Sequence, residues 1–159
     1  MLNIQAELKL AYKDLGNNSA VLNSIPSFFE YASFNFVKEN TDIVLCRLHI
    51  GDVVSINIED SIDSNFAIIK AILCHQNNDL QFAFIIVDWF EDTNKTMLNC
   101  PIYRLRTTNN CRKIFPISLV NAANTIHFVH SCKGEECVGG VHDVKNSLYM
   151  RNMYFFKAV

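Results

Sequence analysis

The chain has 159 residues, of which 50% are apolar and 19% are charged, and its formal net charge is −2. This length supports one domain with its own core and is short for two. The near-neutral charge disfavours a protein that holds nucleic acid mainly by neutralising phosphates, although it permits a basic peptide as partner.

Membrane and secretory signals are missing from the sequence. No stretch has the roughly 18 to 20 apolar residues that a membrane span needs. Residues 1–7 lack the basic and apolar regions of a signal peptide. We therefore expect a nuclear or cytoplasmic protein that is not secreted, whose six cysteines stay reduced. For Cys46, Cys74, Cys100 and Cys111, we expect small hydrophobic side chains that are buried or half-buried.

Residues 1–27 are weakly patterned and predict an arm or short helix packed on the domain. Their apolar residues could share one helical face, and Gly16-Asn17-Asn18 is typical of a helix C-terminus. Pro26 then disfavours helical geometry in the residue before it. The sequence therefore predicts a separate N-terminal segment, followed by a β domain over residues 28–159.

Short β segments alternate with turn signals from residue 28 onward. Two strands are predicted around the turn at residues 39–42, and an alternating strand is predicted at residues 53–58. Another strand at residues 66–74 leads through a polar hairpin to a central antiparallel strand at residues 80–90. The central strand is dense in β-branched and aromatic residues and contains the single tryptophan. The acidic, polar residues 91–95 that follow predict a loop.

The C-terminal part continues the β pattern. A strand at residues 97–105 contains Pro101, which indicates an edge or a bulge. A helical turn is predicted at residues 118–123, an alternating strand at residues 124–130 and an aromatic final strand at residues 148–159. Many short strands separated by turns favour an antiparallel barrel or sandwich over α/β units. The predicted fold is mainly β, an antiparallel distorted β-barrel with short helices.

Three motifs occur in a suggestive order. They are Gly-Asp-Val-Val-Ser-Ile at residues 51–56, Phe-Ala-Ile-Ile-Lys-Ala-Ile at residues 66–72 and Ile-Val-Asp-Trp-Phe at residues 86–90. Their order and spacing resemble the core of a bromo-adjacent homology (BAH) domain over about residues 43–158. The resemblance implies a distorted antiparallel barrel that recognises proteins in chromatin. It departs from the family where Glu91-Asp92-Thr93 replaces the usual Arg-Pro-Glu.

The BAH resemblance also implies a candidate groove for a histone tail. Family members that read methyl-lysine use an aromatic residue and a strand-ending tryptophan, roles that map onto Phe66 and Trp89. Phe90, Glu91 and Asp92 would complete the groove, and a carboxylate there could accept a hydrogen bond from a mono- or dimethyl ammonium. Each cation–π contact contributes about 0.5 to 2 kcal/mol. The alternative interpretation is that Phe66 and Trp89 are core residues that cap a small barrel.

A second candidate site lies in a loop rich in cysteine, histidine and glycine. His130, Cys132, Cys137 and His142 fall within thirteen residues, and Cys₂His₂ is a known tetrahedral zinc set. In a reducing compartment such a cluster favours metal over a disulfide. The alternative is a polar loop with incidental cysteines. A zinc ion here would be structural, and the loop is similar to domains of this kind in fungal transposon-derived proteins.

Basic residues form a modest cluster near the predicted edge strand: Arg104, Arg106, Arg112 and Lys113. We interpret these four residues as part of a solvent-exposed face of the domain. The alternative is that they contact nucleic acid or an acidic partner. We find no nucleophile elbow and no phosphate loop, so we expect a non-catalytic module with no cofactor other than the candidate zinc. The rival hypothesis is a zinc-stabilised module of a mobile-element-derived protein.

Overall fold

The computed structural model describes residues 2–17, 24–37, 43–58, 65–106, 111–121, 126–130 and 148–154. Within them the chain forms one α-helix, one 3-10 turn and eleven strands. The helix is α1 (Ile4–Asp14) and the 3-10 turn is η1 (Ile117–Leu119). The strands are β1 (Ser27–Phe29), β2 (Tyr31–Val37), β3 (Ile43–His49), β4 (Val53–Ile56), β5 (Phe66–Asn77), β6 (Leu80–Met97), β7 (Cys100–Arg106), β8 (Ile114–Pro116), β9 (Val120–Asn121), β10 (Phe128–His130) and β11 (Leu148–Arg151).

The antiparallel hairpin β5–β6 is the centre of the fold. Its turn uses Asn78 and Asp79 with φ of 49° and 64°, the left-handed geometry that tight hairpin turns require. Nine strands form one antiparallel sheet in the order β10-β11-β7-β6-β5-β4-β9, with β1 added to β5 and β8 added to β6. This sheet curls into a half-barrel. The predicted mainly β, antiparallel barrel-like fold with a short N-terminal helix is therefore confirmed.

The main core lies between the curled sheet and the separate hairpin β2–β3. Leu48 of the hairpin is buried in it, and Ala32 and Phe34 pack against it. The sheet contributes buried aliphatic and aromatic side chains from several strands: Val54, Ile56, Ala67, Ile69, Ile72, Ile85, Val87, Phe115 and Val120. Burial of this apolar surface is the main stabilising contribution to the barrel.

Helix α1 forms because its sequence supplies a cap, an apolar face and a stop. The side chain of Asn3 accepts a hydrogen bond from the Ala6 amide, as N-cap residues do. Gly16 at φ +74° follows the last turn, where glycine adopts left-handed geometry without strain. Leu8 and Tyr12 are buried against the sheet. These contacts place the helix across β8, and the predicted helix before Gly16 is confirmed.

The Glu7 carboxylate fastens α1 to the start of β8. Its Oε2 accepts hydrogen bonds from the backbone amides of Lys113 at 2.9 Å and Ile114 at 3.2 Å. The Lys113 carbonyl in turn accepts from the Val87 amide at 2.9 Å. Hydrogen bonds to a charged acceptor are stronger than those to a neutral one. The helix therefore fixes the segment that leads into β8 and holds it beside β6.

The longest strand corrects one prediction. β6 runs eighteen residues to Met97, so residues 91–95 are strand and not a loop. The reason is pairing with β7, in which Glu91 lies opposite Arg104 and Asp92 opposite Tyr103. A bulge follows, between Asp92 and Lys95. Hydrogen bonding along this ladder holds polar residues in a strand that their composition does not favour.

The C-terminal elements differ in extent from the prediction. The last described strand ends at Arg151, and Asn152 begins a turn in which its Oδ1 accepts from the Tyr154 amide at 3.0 Å. The helical turn predicted at residues 118–123 is shorter: η1 covers Ile117–Leu119, and strand β9 follows at once at Val120–Asn121. Pro101 lies opposite Thr96 in β6, while β11 pairs with residues 102–104. Within the described residues, no helix is long and apolar enough to cross a membrane.

Candidate binding cleft beside Trp89

Trp89 lies on the face of the sheet that carries the main core. It is opposite Ala67 in the β5–β6 ladder, and its ring packs edge-on against Phe115, with centroids 5.3 Å apart and planes at 87°. Its Nε1 donates a hydrogen bond to the Arg112 carbonyl at 2.6 Å. The ring is half-buried, so one part packs on the core and the rest borders solvent. Packing and the indole hydrogen bond fix its orientation.

Phe66 lies on the opposite face of the sheet from Trp89. It precedes Ala67, and successive side chains along a strand alternate between faces. Phe66 is only 3% exposed and packs on the rings of Tyr103 and Phe128, both at 5.7 Å. The Arg151 guanidinium lies over its ring at 4.5 Å. This corrects the predicted aromatic pair, because Phe66 is a core residue and does not come together with Trp89.

The other three predicted groove residues, Phe90, Glu91 and Asp92, also lie on alternating faces of the sheet. Phe90 is 8% exposed and stacks on Phe128 with centroids 4.4 Å apart. Asp92 lies two residues further along the same face, and its Oδ1 accepts from the Asn94 amide at 2.7 Å. Glu91 falls between them and shares the face of Trp89. Of the five candidates, the structure therefore groups Trp89 with Glu91 on one face of β6. Phe66, Phe90 and Asp92 alternate to the other face, and of these three only Phe90 also borders the cleft beside Trp89.

A cleft of about 370 Å³ opens beside Trp89 at this point in the sheet. Its lining combines aromatic surface, one carboxylate and two guanidinium groups: Ile58, Asn65, Trp89, Phe90, Glu91, Arg106, Cys111, Arg112 and Phe115. We call it the Trp89 cleft. Its volume is within the range of small-ligand and side-chain pockets. Two residues of the predicted groove, Trp89 and Glu91, therefore border a cleft, which lies beside the middle of β6 because the strand continues to Met97.

Glu91 and Arg106 form the charged rim of the Trp89 cleft. Arg106 Nε donates to Glu91 Oε2 at 2.6 Å, and Nη2 donates to Oε1. The side chains are 40% and 45% exposed, so water competes with the pair and its contribution to stability is small. The hydrogen bond to the Glu91 carboxylate raises the pKa of Arg106 above its ordinary value. An exposed ion pair of this kind can exchange partners with an incoming charged group.

Arg112 forms the back of the cleft and connects it to α1. Its guanidinium lies over the ring of Phe115 at 4.4 Å and forms two hydrogen bonds with the Asp14 carboxylate. Its Nε donates to the Ile114 carbonyl at 3.2 Å. The face of Phe115 is therefore already occupied by a cation of the same chain. Sequence reasoning missed Phe115 because only the pairing of β8 with β6 brings it near Trp89.

The predicted basic cluster does not form one surface. Arg104 and Arg106 are exposed and lie two residues apart on β7, which places them on one face. Arg112 is engaged by Asp14. Lys113 is buried, and its Nζ lies 2.5 Å from Asp88 Oδ1. Two of the four cations therefore stabilise the fold, and Arg104 and Arg106 are the two that face solvent beside the cleft.

The structure describes one residue of the predicted zinc site. His130 ends β10 and packs edge-on against Tyr149 at 5.1 Å. Cys132, Cys137 and His142 lie outside the described residues. Among the residues that are described, no three His, Cys, Asp or Glu side chains form a group that could hold a metal ion. Cys46, Cys74, Cys100 and Cys111 are free thiols that are buried or half-buried, as predicted.

A buried network joins Tyr12, His75 and Ser24. Tyr12 Oη is 2.7 Å from His75 Nδ1, and Ser24 Oγ is 3.1 Å from Nε2. The Ser24 hydroxyl donates to the Gln76 carbonyl at 2.7 Å, so it accepts from Nε2–H and Nδ1 accepts from Tyr12. Burial, helped by nearby Cys74, raises the pKa of Tyr12 to about 12. An activated serine would donate to histidine, whereas this network ties α1 to β5.

Comparison of the chain with known protein families, with characterised proteins and with solved structures finds no match. In the Trp89 cleft, an indole ring and the Glu91 carboxylate attract a cation, while Arg106 attracts an anion. These groups suit recognition of a charged side chain on a partner.

Proposed function

We propose that this chain is a non-catalytic protein-interaction module of BAH type, which binds an extended basic segment such as a histone tail. The observation that supports this proposal is the Trp89 cleft, where an indole ring and the Glu91 carboxylate lie on one face of β6. A lysine ammonium is attracted to the face of an aromatic ring and to a nearby carboxylate. The volume of about 370 Å³ accommodates such a side chain.

Methylation of the bound lysine is expected to change affinity only slightly. Trp89 is one aromatic wall, and the ring face of Phe115 already holds the Arg112 guanidinium. One exposed cation–π contact contributes about 0.5 to 1 kcal/mol, which corresponds to about two- to fivefold in affinity. Titration with unmodified and dimethylated lysine peptides measures the ratio. A preference of a hundredfold would contradict a single-walled site.

Glu91→Gln is expected to weaken binding of a lysine-containing histone peptide by about three- to tenfold, because the ammonium loses its carboxylate partner. Glu30→Gln is the matched control. It makes the same substitution at an exposed residue that does not line the cleft. Affinities are measured by calorimetry, and melting curves check that both variants stay folded.

Trp89 is the only tryptophan of the chain and reports directly on occupancy of the cleft. We expect a saturable change in tryptophan emission as the peptide is added, with the same midpoint as calorimetry. Equal affinities of Glu91→Gln and Glu30→Gln for the peptide would remove the carboxylate from the proposal. Binding that leaves the emission unchanged would place the partner elsewhere on the molecule.

A further inference from the structure

A second cleft of about 370 Å³ lies further along β6 and β7. Its lining is more polar: Glu91, Asp92, Thr93, Lys95, Met97, Ile102, Arg104 and Leu148. We call it the Arg104 cleft. Glu91 borders both clefts. Because Glu91, Arg104 and Leu148 are register partners across β6, β7 and β11, they share the face that carries Trp89. The two clefts are therefore neighbours on one surface.

Arg104 and Lys95 are the cationic side chains of the Arg104 cleft that have no ion-pair partner in the described part of the chain. Both side chains are exposed, and neither forms a hydrogen bond or ion pair with any residue in the described part of the chain. Glu91 is paired with Arg106, whereas Asp92 accepts a hydrogen bond from the neutral Asn94 amide and keeps its charge. Arg104 and Lys95 therefore exceed the one unpaired carboxylate of the cleft by a single positive charge, which suits one anionic side chain.

We propose that the partner segment carries an acidic residue as well as a basic one, and that its carboxylate binds Arg104 and Lys95. This inference rests on the proposed function, because the basic residue occupies the Trp89 cleft. Arg106 of β7 is opposite Trp89, and Arg104 follows two residues away along β7. Ile102, which is opposite Lys95, lies four residues from Arg106. The two cations therefore lie about 7 to 14 Å along the strands from Trp89. An extended peptide covers the longer distance in four residues with both side chains on one face, so the partner places lysine and an acidic residue four positions apart.

A carboxylate fits this surface better than a nucleic-acid backbone. Arg104 and Lys95 together balance Asp92 and one anionic side chain of a partner, whereas nucleic-acid binders engage many phosphates in series. The net charge of −2 also opposes a polyanion. Ile102 and Leu148 add apolar surface beside Arg104, which suits the methylene groups of a glutamate side chain.

Peptide pairs that differ at one position test the inference. Extended peptides carry a central lysine with glutamate four residues before or after it, and the controls carry glutamine there. Trp89 emission and calorimetry report binding. For the better orientation, we expect the glutamate peptide to bind the native chain about three- to tenfold more tightly than its glutamine counterpart. Arg104→Gln is expected to abolish this advantage. Arg47→Gln, at a position on β3 that lines neither cleft, is expected to preserve it.

The outcomes separate the two proposals. Equal binding of the glutamate and glutamine peptides, with a normal Trp89 response, would overturn the acidic-residue requirement and leave the proposed function standing. Absence of binding by every peptide would overturn both. Tighter binding of a single-stranded oligonucleotide than of any peptide, lost in Arg104→Gln and weakened steeply by salt, would also overturn the inference.

Discussion

Replacing Lys113 with methionine is expected to lower the free energy of unfolding by about 3 to 5 kcal/mol. The Lys113 ammonium lies 2.5 Å from Asp88 Oδ1, and both residues are buried, at 6% and 7% exposure. Methionine keeps the length and apolar stem of lysine but leaves the Asp88 carboxylate buried without its cation. Removing one partner of a buried pair costs this much because the remaining charge is uncompensated.

The measurement is urea or thermal unfolding of the native chain and Lys113→Met. In a chain of this size, 1 kcal/mol shifts the midpoint by about 2 to 4 °C, so the expected fall is about 6 to 20 °C. Arg106→Gln is the matched control. It breaks an exposed pair with Glu91 and is expected to cost less than about 1 kcal/mol. If both variants lost the same free energy of unfolding, burial of the ion pair would not determine how much the loss of its cation destabilises the fold.

A double variant separates the buried charge from general damage to packing. Asp88→Leu combined with Lys113→Met replaces the pair by two apolar side chains. Such replacements are often neutral or stabilising, so the double variant is expected to recover much of the stability that Lys113→Met loses. The backbone bonds of Lys113 to Glu7 and Val87 do not depend on its side chain. A double variant less stable than Lys113→Met would locate the damage in packing around β8.

The central hairpin was predictable because its strands are rich in residues that favour β structure and are separated by residues that favour a turn. Residues 82–90 are apolar except Asp88, and all but Ala83 and Asp88 are β-branched or aromatic. The polar residues before them mark a tight turn. The continuation of β6 to Met97 was not predictable in this way. Its residues beyond Phe90 are acidic or polar and become a strand because β7 pairs with them. Composition reports local preference, and long-range pairing overrides it.

The sequence indicated a candidate site at Trp89 and Glu91, and a cleft lies beside both residues. Its place in the strand differs from the prediction, because β6 continues to Met97 and both residues lie in its middle. Phe66 failed as a partner because a shift of one residue in register moves a side chain to the other face. The pairing of Ala67 with Trp89 places Phe66 on the other face of the sheet, and no local sequence pattern reveals this register. The roles of Arg112 and Lys113 depend equally on contacts with distant Asp14 and Asp88.

Tyr12→Phe is expected to destabilise the fold by about 1 to 3 kcal/mol at neutral pH, because His75 Nδ1 loses its donor in a buried site. Tyr12 is 0% and His75 is 1% exposed, so water does not replace the phenol readily. The ring packing on Phe82 and Phe84, both at 5.1 Å, is preserved in phenylalanine. The decrease in the free energy of unfolding therefore reports the contribution of the Tyr12–His75 hydrogen bond. Chemical unfolding of both proteins at pH 7 measures this decrease.

The same residue predicts how stability responds to alkali. Burial raises the pKa of Tyr12 from its ordinary value of 10.0 to about 12, so the folded state favours the neutral phenol. Its contribution is fully present below pH 10 and is lost as the pH rises through about 12, because the unfolded chain releases the proton first. We expect Tyr12→Phe to flatten the fall in stability over this range. Tyr31→Phe, which alters a tyrosine that is 58% exposed, is expected to leave the fall unchanged. An identical alkaline slope in Tyr12→Phe and the native chain would contradict the assignment, because burial of the phenol is what links its proton to folding.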